Sequence, residues 1–235
     1  MKIPIFIIVH NHLEILKRSL ASYEKFIDHP KQFVFHNTNS QYQPCLDFLK
    51  EREAKGDLVY HTNTNHHLSV INTIRQYLSE RPNVEYYILT DPDIELNNAK
   101  SNLVETFIYL LNKYNVYSVG TSLKIDDIPD YYPKKKLVLS IPTHKSFHNS
   151  PRIQENFQGQ DFEITRAPID TTFQLIRARN IDVRFPHTDC LRVFEPYDAR
   201  HLDWYIDPNN MTDCQKFYSD NATSISHWNN PSFKG

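Results

Sequence analysis

Short, unbroken apolar runs alternate along the first half of this sequence with stretches whose apolar residues fall three or four apart. Ile5-Phe6-Ile7-Ile8-Val9 is followed by Leu16, Leu20, Tyr23 and Ile27. Phe33-Val34-Phe35 leads through a polar turn, His36 to Ser40, into Leu46 and Leu49, and Leu58-Val59-Tyr60 leads into Leu68, Ile71 and Leu78. An unbroken run suits a strand covered on both faces, and the wider spacing suits one face of a helix. Tyr86-Tyr87-Ile88-Leu89 is a fourth strand, Leu103, Phe107, Leu110, Leu111 and Tyr114 mark another helix, and Val116 to Val119 reads as a fifth strand. Repeated βα units of this length predict an α/β fold whose central, mostly parallel sheet is flanked by helices on both faces. Apolar residues make up 40% of the 235, enough for one core of that size. A single domain over 1–235 is expected.

The pattern dissolves from about Asp126 to about Gln160, a polar stretch that includes Lys134-Lys135-Lys136 and Pro142-Thr143-His144. A connection this long without periodicity is expected to be a flexible lid or acceptor-side loop. Regular signal returns over Asp170 to Ile176, and the chain finishes in an aromatic tail with Ser226-His227-Trp228.

Several function classes lose support on composition. Lysine and arginine total 26 against 28 acidic residues, so a net charge of −2 gives no general pull toward nucleic acid. The four glycines, Gly56, Gly120, Gly159 and Gly235, form neither a G-x-G-x-x-G turn nor a P-loop. No serine lies in a G-x-S-x-G setting. Cys45, Cys190 and Cys214 are too scattered for C-x-x-C zinc ligation and too few for a disulfide framework, as in a reducing compartment. Ile3 to Val9 is too short for a signal sequence, and no stretch reaches the roughly 18–20 apolar residues that span a bilayer. A soluble, cytoplasmic protein is expected, with the N-x-T sequences at Asn210 and Asn221 arising by chance.

In open α/β sheets, ligands bind beyond the carboxyl ends of the strands. Those positions are polar here: His10 and Asn11, His36 to Asn39, Thr62, Asn63 and Asn65, then Thr90, Asp91 and Asp93. Such amides and hydroxyls can hold a base and ribose, or can make turns and caps. The fourth strand ends in Asp91-Pro92-Asp93, and two carboxylates at one strand end suit Mg²⁺ or Mn²⁺ bridging a diphosphate. Asp91 capping an Asx-type turn is the structural alternative.

Together, Ile3-Pro4-Ile5-Phe6-Ile7-Ile8-Val9-His10-Asn11, the turn His36-Asn37-Thr38-Asn39-Ser40 and the strand end Thr90-Asp91-Pro92-Asp93 resemble a GT-A fold, nucleotide-sugar-dependent glycosyltransferase of the family-2 type. Ile169 to Phe173, Tyr197 to Tyr205 and Ser226-His227-Trp228 resemble a branch of small transferases from bacteria and large DNA viruses; for a viral chain the compartment is the host cytoplasm. The resemblance implies a nucleotide-binding half, 1–100, and an acceptor-side half, 101–235, with a flexible loop at about 126–160. It implies nucleoside contacts from Val9, His10, Asn11 and Asn37, where many relatives carry Asp in place of Asn37. It implies that Asp91 and Asp93 bind the metal and the ribose-diphosphate of the nucleotide sugar, with Asp93 the direct metal ligand, and that a C-terminal histidine, His227, completes the metal site. The carrier it favours is UDP, and the class it implies is hexosyl- or deoxyhexosyltransferase.

His201 competes with His227 as metal ligand. Its segment, Arg200-His201-Leu202-Asp203-Trp204, offers a cation for phosphate and an aromatic plane for a sugar, or an ion pair between Arg200 and Asp203. With Asn65, these residues complete the expected donor site. Asp170, just before the apolar strand Phe173 to Ile176, is the expected base for an inverting transfer to a hydroxyl of a saccharide or glycoconjugate, with a turn aspartate as the alternative. Two other readings stay open: a Mg²⁺-dependent nucleotidyltransferase, and a glycan-binding module on the same scaffold.

Overall fold

The structure, a computed structural model, describes residues 2–66, 69–140, 149–181 and 188–221. Among these residues the central sheet has nine strands in the order β3-β2-β1-β4-β9-β6-β10-β8-β7. These are β1 (Ile3–Val9), β2 (Lys31–Thr38), β3 (Leu58–Thr62), β4 (Tyr86–Thr90), β6 (Ser118–Thr121), β7 (Ile153–Phe157), β8 (Gln160–Arg166), β9 (Gln174–Arg177) and β10 (Cys190–Val193). β1 pairs in parallel with β2 and β4, β2 with β3, and β10 with β6. Only β9 and β8 run the other way, each antiparallel to both neighbours.

β1 shows why its run is unbroken. Ile5, Ile7 and Val9 pack into one apolar cluster with Leu16 and Leu20 of α1 (Leu13–Phe26), Leu49 of α2 (Gln43–Ala54), and Phe107 and Leu111 of α4 (Leu103–Tyr114). Phe6 and Ile8 point to the other side, onto Val70, Ile71, Ile74 and Tyr77 of α3 (Val70–Ser79). Alternate residues of one strand thus feed two cores.

Several expectations shift. The polar turn after the second strand begins later, because β2 continues through His36, Asn37 and Thr38, all buried. The fifth strand is Ser118–Thr121, two residues beyond its apolar signal. The expected loop at 126–160 carries structure: α5 (Lys135–Ser140) and β7, which pairs with β8. Leu68, the 142–144 stretch and the tail with His227 lie outside the described residues.

A second, two-stranded sheet was not visible in the sequence. β5 (Ile94–Leu96) pairs antiparallel with β11 (Ala199–His201), setting His201 opposite Ile94. It joins segments about a hundred residues apart, just past the carboxyl end of β4. A 3₁₀ turn, Leu202–Tyr205, follows β11, and α6 (Asp213–Asp220) begins with a capping box at Thr212 and Gln215.

Candidate metal centre and active site

The corner after β4 is held from three sides. Tyr23 of α1 donates its hydroxyl to Ile94 O at 2.6 Å, and the Asp91 amide donates to Thr171 O at 2.8 Å. Leu202 N donates to Asp93 O at 2.7 Å, continuing the β5–β11 ladder into the 3₁₀ turn. This last bond ties the segment with His201 and Asp203 to the backbone of the Asp-Pro-Asp corner.

Asp93, His201 and Asp203 come together there, their ligand atoms all within 4.8 Å of one another. His201 Nε2 lies 3.5 Å from Asp93 Oδ2, and His201 stacks on Trp204 at 4.8 Å between ring centroids. His12, at the entrance to α1, points Nδ1 at Asp203 Oδ1 across 3.4 Å and stacks on Tyr218 of α6 at 4.1 Å. Burial, and then the nearby His201, push the His12 pKa down to about 3, so His12 is neutral. Asp93 is buried, and Oδ1 has no hydrogen-bond partner among the described residues. Burial raises its pKa; His201 opposes the shift and Asp170 adds to it.

Two buried carboxylates beside an imidazole call for positive charge. The set, rich in oxygen with one nitrogen donor, fits a divalent ion of the Mn²⁺ kind, and the orphaned Asp93 Oδ1 supplies a lone pair for it.

Asp91 stands outside this trio. Its Oδ2 accepts from the Thr171 hydroxyl, a contact across to the bend before β9 rather than an Asx turn. Burial, then Asp93 and Asp170, push its pKa well above the usual carboxylate range. Asp170 itself is exposed in that bend, Oδ1 accepting from Thr172 N at 3.1 Å. The antiparallel pairing of β9 with β4 sets it beside the corner, because β9 starts where β4 ends. Gly120 allows the bend to lie close: a Cβ there would stand 2.6 Å from Phe173 O.

The expected nucleoside residues are largely engaged within the chain. Val9 is fully buried. Asn11 takes a left-handed backbone (φ 59°), and Oδ1 accepts from Gln41 N at 2.6 Å and Tyr42 N at 3.0 Å. Asn37 Oδ1 accepts from Ser40 N at 3.1 Å, and its Nδ2 lies 2.9 Å from His61 Nδ1. His10 donates from Nδ1 to Thr38 O at 2.8 Å, which leaves Nε2 to accept from Asn11 Nδ2 at 3.1 Å. These bonds shape the two loops. His10 and Asn65 are only half-buried at their strand ends.

Two further expected donor-site residues are engaged within the chain. Arg200 pairs with Asp127, Nε to Oδ2 at 2.8 Å, and not with Asp203 or a free anion position. Trp204 is fully buried with one face against His201, so it backs the imidazole and presents no plane to a sugar. Sequence reasoning missed His12 as the neighbour of Asp203. The polar His10-Asn11-His12 run after β1 was the available signal.

No protein-family model matches the chain, and no curated protein matches it in sequence. Among solved structures it is similar to S. aureus TarS 1-349, at 11% identity over 97% of this chain and 68% of that one, with a TM-score of 0.50. It is also similar to the mannosyltransferase PcManGT from Pyrobaculum calidifontis in complex with GDP-Man and Mn²⁺, at 14% identity over 54% of this chain and 36% of that one, with a TM-score of 0.41. Glucosyl-3-phosphoglycerate synthase from Mycobacterium tuberculosis, in complex with Mn²⁺, UDP and glucosyl-3-phosphoglycerate, matches at 9% identity over 76% and 57% of the two chains, with a TM-score of 0.43. The chain spans little more than a third of the first structures it matches, 36% and 38% of their lengths. The sheet order, its nearly uniform strand direction and the flanking helices give this chain the GT-A type of α/β fold.

Proposed function

We propose that this chain is a metal-dependent glycosyltransferase, one that moves a hexosyl or deoxyhexosyl group from a nucleoside-diphosphate sugar, UDP-linked, to a hydroxyl of a saccharide or glycoconjugate. The observation that carries this reading is the buried Asp93–His201–Asp203 trio at the carboxyl edge of a GT-A sheet, beside the exposed Asp170. Asp93, His201 and Asp203 hold the metal. A divalent ion bound there would supply the positive charge that offsets the charge developing on a departing nucleoside diphosphate.

The chain's own groups divide the remaining work. His10 and Asn65, just past β1 and β3, stand on the side of the nucleoside, while Asn11 and Asn37 hold the loops that carry them. Asp170 takes the proton of the acceptor hydroxyl on its carboxylate, as an inverting transfer requires. Residues 1–235 act as one domain, with 1–100 toward the nucleotide and 101–235 toward the acceptor. The cysteines Cys45, Cys190 and Cys214 are free and buried, which supports a reducing, cytoplasmic setting. No described helix is long and apolar enough to cross a membrane.

The test is a panel of nucleotide sugars incubated with the protein and Mn²⁺, with free nucleoside diphosphate measured. Slow, metal-dependent release from one donor is expected, lost in Asp93→Ala. Asp170→Asn should lower transfer far more than donor binding. Pyrophosphate-dependent chemistry would favour a nucleotidyltransferase, and no release from any donor would overturn the enzyme reading.

A further inference from the structure

The bend that carries Asp170 has a buried arginine beneath it. Arg192 lies in β10, between β6 and β8, and is 6% exposed. Its Nε donates to Pro168 O at 2.9 Å. Its Nη1 donates to Thr121 O at 3.1 Å and reaches Thr172 Oγ1 at 3.4 Å. One guanidinium therefore grips both arms of the bend, two residues before Asp170 and two after it, and ties them to the end of β6.

The other side of the bend is fastened by backbone. Asp91 N donates to Thr171 O at 2.8 Å and Thr121 N to Phe173 O at 3.0 Å. Asp170 thus feels two sets of charge: the acidic groups Asp91 and Asp93 on the β4 corner, and Arg192 on β10. A loop carrying a carboxylate toward two others tends to swing away, and a cation that fastens both arms of that loop opposes this.

We propose that Arg192 is the positioning residue for Asp170: by holding Pro168 and Thr172 around one planar head, it sets where the Asp170 carboxylate stands relative to the Asp-Pro-Asp corner. The inference rests on the reading of Asp170 as the base of a glycosyl transfer. The acceptors lie on different edges of the guanidinium, a geometry that a single ammonium cannot reproduce.

The test uses the full chain and two variants, Arg192→Met and Arg192→Lys. Amide hydrogen exchange is read at Asp91 and Thr172, whose N–H groups bond to Thr171 O and Asp170 Oδ1, with Ile7 and Phe35 in the central sheet as references. In Arg192→Met, exchange at Asp91 and Thr172 is expected to quicken about tenfold or more while the references hold. With Mn²⁺ and the active donor, kcat should fall roughly 10- to 100-fold, the scale of loss from a misplaced catalytic group, with donor KM within about twofold. Arg192→Lys should fall between Arg192→Met and wild type on both readouts, and it carries the test if Arg192→Met does not fold.

Unchanged exchange at Asp91 and Thr172 would overturn the proposal, as would kcat and KM changing in step. Exchange needs no donor, so it decides the role of Arg192 separately from the transferase reading. Absence of transfer by the wild-type protein would remove the base, whereas unchanged protection would remove the positioning residue.

Discussion

His201 and Asp93, 108 positions apart in the sequence, face each other across 3.5 Å because the strands beside them pair, with His201 opposite Ile94 and Leu202 N bonded to Asp93 O. The imidazole is held flat on Trp204. His201→Phe keeps that stack and removes the nitrogen. Mn²⁺ affinity, followed by titration calorimetry, is expected to fall by at least about tenfold, the lower end of what even a supporting residue costs. The folding free energy should change by less than about 1.5 kcal/mol, as for a swap of similar volume. Undiminished affinity would take His201 out of the metal site.

His12 touches the proposed metal only through Asp203. His12→Phe retains the ring against Tyr218 and removes the nitrogen facing Asp203 Oδ1. Loss of such a supporting contact should weaken Mn²⁺ binding by roughly 10- to 100-fold. Asp203→Asn should weaken it further, so equal affinity in wild type and His12→Phe would mean that His12 does not orient Asp203.

Buried titratable groups give the fold an acid limb with a defined sign. His12 and His36 are pushed down to about 3 and about 4 by burial, and His36 sits between Thr73 Oγ1 and Ser69 Oγ. Between those values and 6.5 the unfolded chain binds protons that the fold refuses, so stability falls as pH falls through this window, by up to about 1.4 kcal/mol per pH unit for each group. Asp198 acts oppositely. Burial is the largest cause raising its pKa to about 6, so between 3.8 and 6 the fold takes up a proton that the unfolded chain lacks. Its contribution therefore worsens as pH rises through that window. Asp198→Asn should unfold at higher urea than wild type at pH 8 and at the same urea at pH 3.5. A variant less stable than wild type at pH 8 would contradict this.

Gly120 lies under the bend that carries Asp170. Its φ is ordinary, and the constraint is space: a methyl group would meet Phe173 O at 2.6 Å and Gln174 Cβ and Ile169 Cδ1 at 3.0 Å. Gly120→Ala is expected to cost about 1–3 kcal/mol, the range for overpacking, measurable by urea unfolding. It should also move the Asp170 bend and lower transfer in the surviving folded protein. A variant as stable as wild type would show that the bend has room to yield.

Parts of this arrangement follow from local patterns in the chain. The run through Ile5 and Val9 with the stripe Leu16, Leu20 and Tyr23 announces a βα unit, and the corner at Asp91 and Asp93 follows from where Tyr86 to Leu89 ends. His201 appears among the candidate ligands because it sits in a charged, aromatic segment. Asp203 reads from the sequence as a partner of its near neighbour Arg200; in the fold Arg200 turns to Asp127 and Asp203 to His12. Such choices depend on the β5–β11 pairing, made by three-residue strands too short to show a period. Arg192 likewise acquires its partners only when β6 and the Pro168 bend fold around it.

The central claim is that Asp93, His201 and Asp203 hold a divalent ion that works together with a nucleoside diphosphate. The most direct measurement is titration of the protein with Mn²⁺, followed by electron paramagnetic resonance, with and without UDP, in wild type and Asp93→Asn. Wild type should bind one Mn²⁺, and UDP should tighten it at least about tenfold, while Asp93→Asn, still folded, should show neither effect. Mn²⁺ binding that is indifferent to UDP, or equal in the two proteins, would contradict the account.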